Sequence, residues 1–136
     1  MIKWKSKIGA MLLSAVMVGT ITTIPVQAAS SVTGNISGAT CSGSVSFVYA
    51  PGGACNGVQA KTIYGNGGTL KVKAKVFYKA GGELHTKEVS NSSSGGGVSA
   101  IARNNDTGNV YGGTGWHYVK AGAYSWDRDT SIGTTW

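Results

Sequence analysis

The chain is poor in the side chains from which metal sites and catalytic centres are built. Of its 136 residues, five are acidic, two are histidines and two are cysteines. A metal site needs several such ligands together, and the only imidazoles are those of His85 and His117. Acyl transfer needs a nucleophile, a base and an orienting group. We therefore expect a protein that is not an enzyme and that holds neither a metal nor a cofactor.

Two carboxylate arrangements do not change this expectation. Asp127 and Asp129 lie near His117 in sequence, but no nucleophile-elbow motif accompanies them. Glu83 and Glu88 have an odd separation on one predicted strand, which places them on opposite faces.

Long apolar runs are also missing, with one exception at residues 8–24. Three lysines precede this run, Pro25 ends it, and small residues lead up to Ala28. The order is typical of a secretory signal peptide. We predict that residues 1–28 are cleaved, that the protein is secreted and extracellular, and that residues 29–136 form a single domain without a transmembrane segment.

The two cysteines, Cys41 and Cys55, both follow the predicted cleavage site. A pair of cysteines in an exported chain predicts a disulfide bond. Closing a loop of this length would contribute about 3 kcal/mol in the chain-entropy model.

Leucine is scarce after the signal peptide, and no segment has the apolar spacing of an amphipathic helix. Short segments with alternating apolar and polar residues are separated instead by Gly, Asn and Ser clusters. This pattern predicts an all-β fold, a small antiparallel β-sandwich of seven or eight short strands stapled by the disulfide. Nine segments are candidates for these seven or eight strands, namely residues 32–36, 44–49, 58–64, 69–79, 83–90, 98–103, 114–120, 123–126 and 132–136.

The clearest predicted strand, 69–79, alternates apolar residues with lysines. One face should therefore be buried and the other exposed. For the turn 80–82 we predict a three-residue loop, which places Lys79 opposite Glu83 and Tyr78 opposite Leu84. The Ser- and Gly-rich segment 91–97 predicts a flexible connection between two strands.

The basic face of this strand is the strongest surface signal. Its lysines repeat at roughly 6.7 Å, which suits an anionic cell-wall or membrane-surface component of bacteria. The net charge agrees with this: it is +7 for the whole chain and +4 for residues 29–136, after the three lysines of the signal peptide are removed. The alternative is that they protect a sheet edge from pairing. Nucleic acid is not expected, because the protein is exported and Phe77 is the only aromatic residue on this face. The candidate binding residues are Lys71, Lys73, Lys75 and Lys79.

Aromatic residues concentrate near the end of the chain. Trp116 and Tyr118 share one face of a predicted strand and are expected in the core. Trp126 and Trp136 are the predicted exposed contact residues.

The segments Val98-Ser99-Ala100-Ile101-Ala102, Asn104-Asn105-Asp106-Thr107-Gly108 and Gly115-Trp116-His117-Tyr118-Val119-Lys120-Ala121, with the aromatic chain end, resemble the lactococcin family of small secreted non-lantibiotic bacteriocins. The resemblance implies a basic β-sandwich that inhibits cell-wall synthesis by binding the precursor lipid II. Trp116 and Trp136 match the family by position, whereas Cys41 and Cys55 depart from its pattern.

These observations predict a secreted, bacteriocin-like antimicrobial polypeptide that acts at the bacterial cell envelope. The alternative is a non-enzymatic extracellular structural or adhesive protein of a surface or matrix. A third class is an inhibitor of a foreign hydrolase that presents the segment 91–97.

Overall fold

A computed structural model describes residues 30–105 and 109–136 of the chain. The predicted signal peptide and part of the Asn104–Asn109 turn cluster lie outside these residues. The described chain forms eight strands and no helix. They are β1 (Ser31–Ile36), β2 (Ala39–Tyr49), β3 (Cys55–Tyr64), β4 (Thr69–Ala80), β5 (Glu83–Ser93), β6 (Gly96–Arg103), β7 (Asn109–Ala121) and β8 (Tyr124–Gly133).

The strands form two four-stranded antiparallel sheets, with the orders β1-β2-β3-β6 and β5-β4-β7-β8. Apolar side chains from both sheets make one buried core. The prediction of an all-β fold with two antiparallel sheets is confirmed. Within the described ranges, no helix is long and apolar enough to cross a membrane.

Strand β4 shows why the alternating pattern was informative. Leu70, Val72, Ala74 and Val76 are fully buried, while the lysines between them point away from the core. Burying branched and aliphatic side chains on one face stabilises the sheet by about 1.5–3 kcal/mol for each large side chain. The outward direction of the lysines follows from the two-residue period of a strand.

The predicted register of the β4–β5 hairpin is wrong. Lys79 lies opposite Leu84, and a two-residue loop of Gly81 and Gly82 joins the strands. Both glycines have positive φ, 61° and 83°, as a type I′ turn requires, and this turn matches the twist of the two strands. The observed register also places Lys75 opposite Glu88, a pair of opposite charges.

The sequence suggested a flexible connection at residues 91–97, but most of this segment belongs to strands. Residues 91–93 complete β5 and residues 96–97 begin β6, so only a tight turn separates strands of different sheets. Asn91 Nδ2 donates a hydrogen bond to the Ser99 carbonyl oxygen at 3.0 Å. This bond joins the two sheets at their shared edge.

The predicted disulfide between Cys41 and Cys55 is also wrong, because both cysteines are free. Cys41 lies opposite Tyr64 in the β2–β3 pair, and Cys55 lies opposite Tyr49. The two residues are therefore at opposite ends of the hairpin, roughly 25 Å apart at the rise of a strand. A disulfide needs Cα atoms within about 7 Å.

We expect both thiols to be reduced in the folded protein. Alkylation of the denatured protein without a reductant should modify two cysteines, as measured by mass spectrometry. Cys55→Ser should change the free energy of unfolding by no more than about 0.5 kcal/mol, because this half-buried residue closes no loop. Alkylation that requires prior reduction would contradict this prediction.

Candidate ligand-binding site

The outer face of the β5-β4-β7-β8 sheet carries three parallel rows of functional side chains. The register places the lysines of β4 beside the aromatic residues of β7, and these beside the aspartates of β8. Across the strands, these side chains pair in two lines, Lys71–Tyr118–Asp127 and Lys73–Trp116–Asp129, and Lys75 continues the lysine row along β4. Neighbouring strands lie about 4.8 Å apart, so one ligand can contact all three kinds of side chain. We call this surface, formed by Lys71, Lys73, Lys75, Trp116, Tyr118, Asp127 and Asp129, the platform.

The lysines and the aromatic rings of the platform are in contact. Lys71 Nζ lies 5.7 Å from the centre of the Tyr118 ring, and Lys73 Nζ lies 5.7 Å from the Trp116 ring. The Trp116 and Tyr118 rings stack on one another, with centroids 5.6 Å apart and an interplanar angle of 19°. Cation–π contacts at exposed sites contribute about 0.5–1 kcal/mol each. They hold the ammonium groups over the aromatic pair.

Glu88 on β5 neutralises part of the lysine row. Its two carboxylate oxygens lie 3.8 Å from Lys73 Nζ and from Lys75 Nζ. These pairs are long and partly exposed, and surface ion pairs of this kind contribute about 0–1 kcal/mol. Lys71 is exposed and has no carboxylate partner within the described ranges. The row therefore keeps a net positive charge that an anion can approach.

A second aromatic group closes one end of the platform. Trp136, at the end of the chain, packs edge-on against Phe77 and against Tyr111, each with centroids 5.5 Å apart. Phe77 belongs to the lysine face of β4 but is only 4% exposed, whereas Trp136 is 43% exposed. The chain end thus covers Phe77 and offers its own indole to solvent. Lys79 lies beyond Phe77 and is exposed.

The assignment of the tryptophans from sequence was partly wrong. Trp126 is buried, packs against Gly34 and belongs to the core. Trp116 and Tyr118, expected in the core, are half-exposed on the platform. Trp136 is exposed, as predicted. The two aspartates that follow Trp126 indicated its direction, because Asp127 and Asp129 share one face of the strand and Trp126 lies on the other.

Asp129 is the platform carboxylate with a perturbed acidity. Burial, and then the neighbouring Asp127 carboxylate, raise the pKa of Asp129 above its ordinary value of 3.8. Both carboxylates lie on the edge strand beside the aromatic pair. They can accept hydrogen bonds from hydroxyl groups of a ligand.

His117 lies on the opposite face of β7, inside the core. Its Nδ1 is 3.0 Å from Thr62 Oγ1, and its Nε2 is 2.8 Å from Thr130 Oγ1. Thr62 Oγ1 donates to the Lys71 carbonyl oxygen at 3.1 Å, so the ring is assigned as the tautomer in which Nδ1–H donates to Thr62 and Nε2 accepts from Thr130. Burial lowers the pKa of His117 to about 4.

The structure therefore separates His117 from the two aspartates that follow it in sequence. His117 faces the core, whereas Asp127 and Asp129 face solvent on the platform. Glu83 and Glu88 lie opposite Ala80 and Lys75, an odd number of positions apart along β5. Among residues 30–105 and 109–136, no three His, Cys, Asp or Glu side chains come together as a metal site would require.

Comparisons of the chain with protein-family models, with curated proteins and with solved structures gave no match.

Proposed function

We propose that the protein is an exported, bacteriocin-like antimicrobial polypeptide that binds an anionic component of the bacterial cell envelope through the platform. The observation that carries this proposal is the row of Lys71, Lys73 and Lys75 beside the stacked rings of Trp116 and Tyr118 on the outer face of a sheet. Secretion is part of the proposal and rests on the signal sequence.

The shape of the platform suits an extended target. Its side chains belong to neighbouring strands of one sheet and present a broad surface, which a polymer or an envelope surface can cover. Like charges in a row concentrate anions near them, and the attraction weakens as salt shortens the Debye length. The indole and phenol rings add apolar area with polar tips, as in many binding surfaces.

Replacing Lys71, Lys73 and Lys75 together with alanine should weaken binding to isolated Gram-positive cell walls by about tenfold or more. The reason is that the variant loses all three ammonium groups of the platform. Binding is measured by sedimentation of residues 29–136 with walls at low and at physiological salt. Growth inhibition of a panel of strains should weaken in parallel.

The matched control removes the same charge elsewhere. Lys61, Lys87 and Arg103 are exposed and lie outside the platform, so their combined replacement with alanine should leave wall binding nearly unchanged. Equal loss in both triple variants would show that net charge, and not the platform, governs binding. A wild-type protein that neither binds walls nor inhibits any strain would contradict the proposal.

The outer face of the other sheet favours a second candidate, an adhesive protein of a surface or matrix. Ile63 and Ile101 are exposed there, 44% and 37% respectively. A molecule with one basic face and one partly apolar face could form a layer on an envelope. Retention on cells without growth inhibition would support this candidate over the antimicrobial.

A further inference from the structure

We infer that the ligand of the platform is a linear glycan with acidic groups, which lies along β4 and β7. This inference rests on the proposed function and names the class of envelope component that the platform binds. The combination of side chains on the platform supports it, since neither the lysine row nor the aromatic pair alone would select such a ligand.

The aromatic residues occupy two places along the same strand direction. Tyr118 and Trp116 lie beside Lys71 and Lys73, and the second group lies at Phe77 with Trp136 over it. From Lys71 to Phe77 the strand rises by roughly 20 Å. A single lipid headgroup can contact only one of these two aromatic groups, whereas a chain of sugar rings can contact both. The apolar C–H face of a sugar ring packs on the negative face of an aromatic ring.

The polar side chains on the two sides of the aromatic pair differ in charge. Lysines lie on the β4 side and attract carboxylate or phosphate groups, whereas Asp127 and Asp129 lie on the β8 side and repel them. Carboxylates instead accept hydrogen bonds from hydroxyl groups. The matching ligand therefore carries acidic groups along one edge and hydroxyl groups along the other, as a polymer of sugar acids does.

A single-stranded nucleic acid fits this surface less well. It also combines phosphates with flat rings that stack on aromatic side chains. However, Asp127 and Asp129 border the aromatic pair within one strand spacing and repel phosphate groups on that side. The hydroxyl groups of a sugar acid can instead donate hydrogen bonds to these carboxylates, which favours the sugar acid.

The test compares four ligands that separate charge from ring structure. Polygalacturonate has acidic groups and sugar rings, its methyl ester has rings without charge, polyphosphate has charge without rings, and oligo(dT) has phosphates with bases. We expect the protein to bind polygalacturonate about tenfold more tightly than each of the others, measured by calorimetry at physiological salt. Equal or tighter binding of polyphosphate or oligo(dT) would overturn the inference.

Variants of the aromatic residues test the two places along the chain. Trp116→Ala and Trp136→Ala should each weaken binding of long polygalacturonate by about fivefold or more. Tyr124→Ala, which removes an exposed aromatic residue outside the platform, should not. Oligomers too short to span both places should be sensitive to at most one of the two tryptophans. If Trp116→Ala fails to fold, the ligand comparison with the wild-type protein still decides.

Vesicles of phosphatidylglycerol and phosphatidylcholine, together with isolated cell walls, distinguish this inference from the proposed function. Platform-dependent binding to vesicles or walls without binding to polygalacturonate overturns the glycan and leaves the proposed function standing. Absence of binding to all of these probes overturns both.

Discussion

Replacing Gly43 with alanine is expected to lower the free energy of unfolding by about 3–5 kcal/mol, the sum of an overpacking cost and a broken buried hydrogen bond. Gly43 is buried on β2 and faces the ring of His117. An added Cβ would lie against the His117 Cγ and Cδ2 atoms, closer than non-bonded carbon atoms approach. Either the ring or the strand must move.

The ring has little freedom to move. Thr62 and Thr130 hold its two nitrogens from opposite sides, and both hydroxyl groups are themselves buried. Displacing the imidazole leaves buried donors and acceptors unpaired, which costs about 1–3 kcal/mol for each group. The glycine and the histidine therefore act as one packing unit between the two sheets.

Urea denaturation monitored by tryptophan fluorescence measures the effect of Gly43→Ala. Gly97→Ala is the matched control, because this strand glycine has ordinary contacts and no positive φ; it should be neutral or stabilising by about 0.4–1 kcal/mol. In a His117→Ala background, Gly43→Ala should cost about 1 kcal/mol or less, since the opposing ring is gone. Equal costs in both backgrounds would contradict this explanation.

Much of the fold could be predicted because alternation in a strand is a local property. The apolar positions of β4 are the buried ones, and its lysines are the exposed ones. The hairpin register was not predictable from face matching, because it depends on the twist that Gly81 and Gly82 impose. The prediction of a disulfide was wrong for a similar reason. Two cysteines in an exported chain indicate a bond, but the distance between Cys41 and Cys55 depends on how far β2 and β3 run before they turn.

Only part of the platform could be predicted from the sequence. Its lysine row followed from sequence, but the aromatic row did not, because large rings were assigned to the core. The space between the sheets at these strands is instead filled by His117 and Trp126, and glycines opposite make room for them. Gly43 and Gly34 are the residues that admit these rings. Sequence shows the glycines but not which strand of the other sheet they face.

The second large expected effect is the dependence of the free energy of unfolding on pH. As the pH falls from about 6.5 to about 4, the free energy of unfolding should fall by about 3 kcal/mol through His117. The folded protein keeps this ring neutral until about pH 4, whereas the unfolded chain binds a proton below about 6.5. The unfolded state thus gains the proton first, and this contribution to stability is complete only above pH 6.5.

Burial makes protonation of His117 unfavourable in the fold, because the charged ring would lose its hydration. A protonated ring must donate from Nε2 as well, so Thr130 Oγ1 must turn its proton to the Gly115 carbonyl oxygen, at 3.4 Å the longer of its two contacts. Among the described residues, no carboxylate lies in the core to offset this charge.

Denaturation midpoints from pH 4 to pH 7.5 for the wild type and for His117→Gln test this prediction. Glutamine can bond to both threonines but does not titrate, so the slope between about pH 6.5 and pH 4 should flatten. Asp129 acts in the opposite sense, because its raised pKa contributes stability at low pH that is lost as the pH rises. Asp129→Asn should therefore keep the slope caused by His117. If His117→Gln retained the full slope and Asp129→Asn lost it, the acid sensitivity would belong to the platform and not to the core.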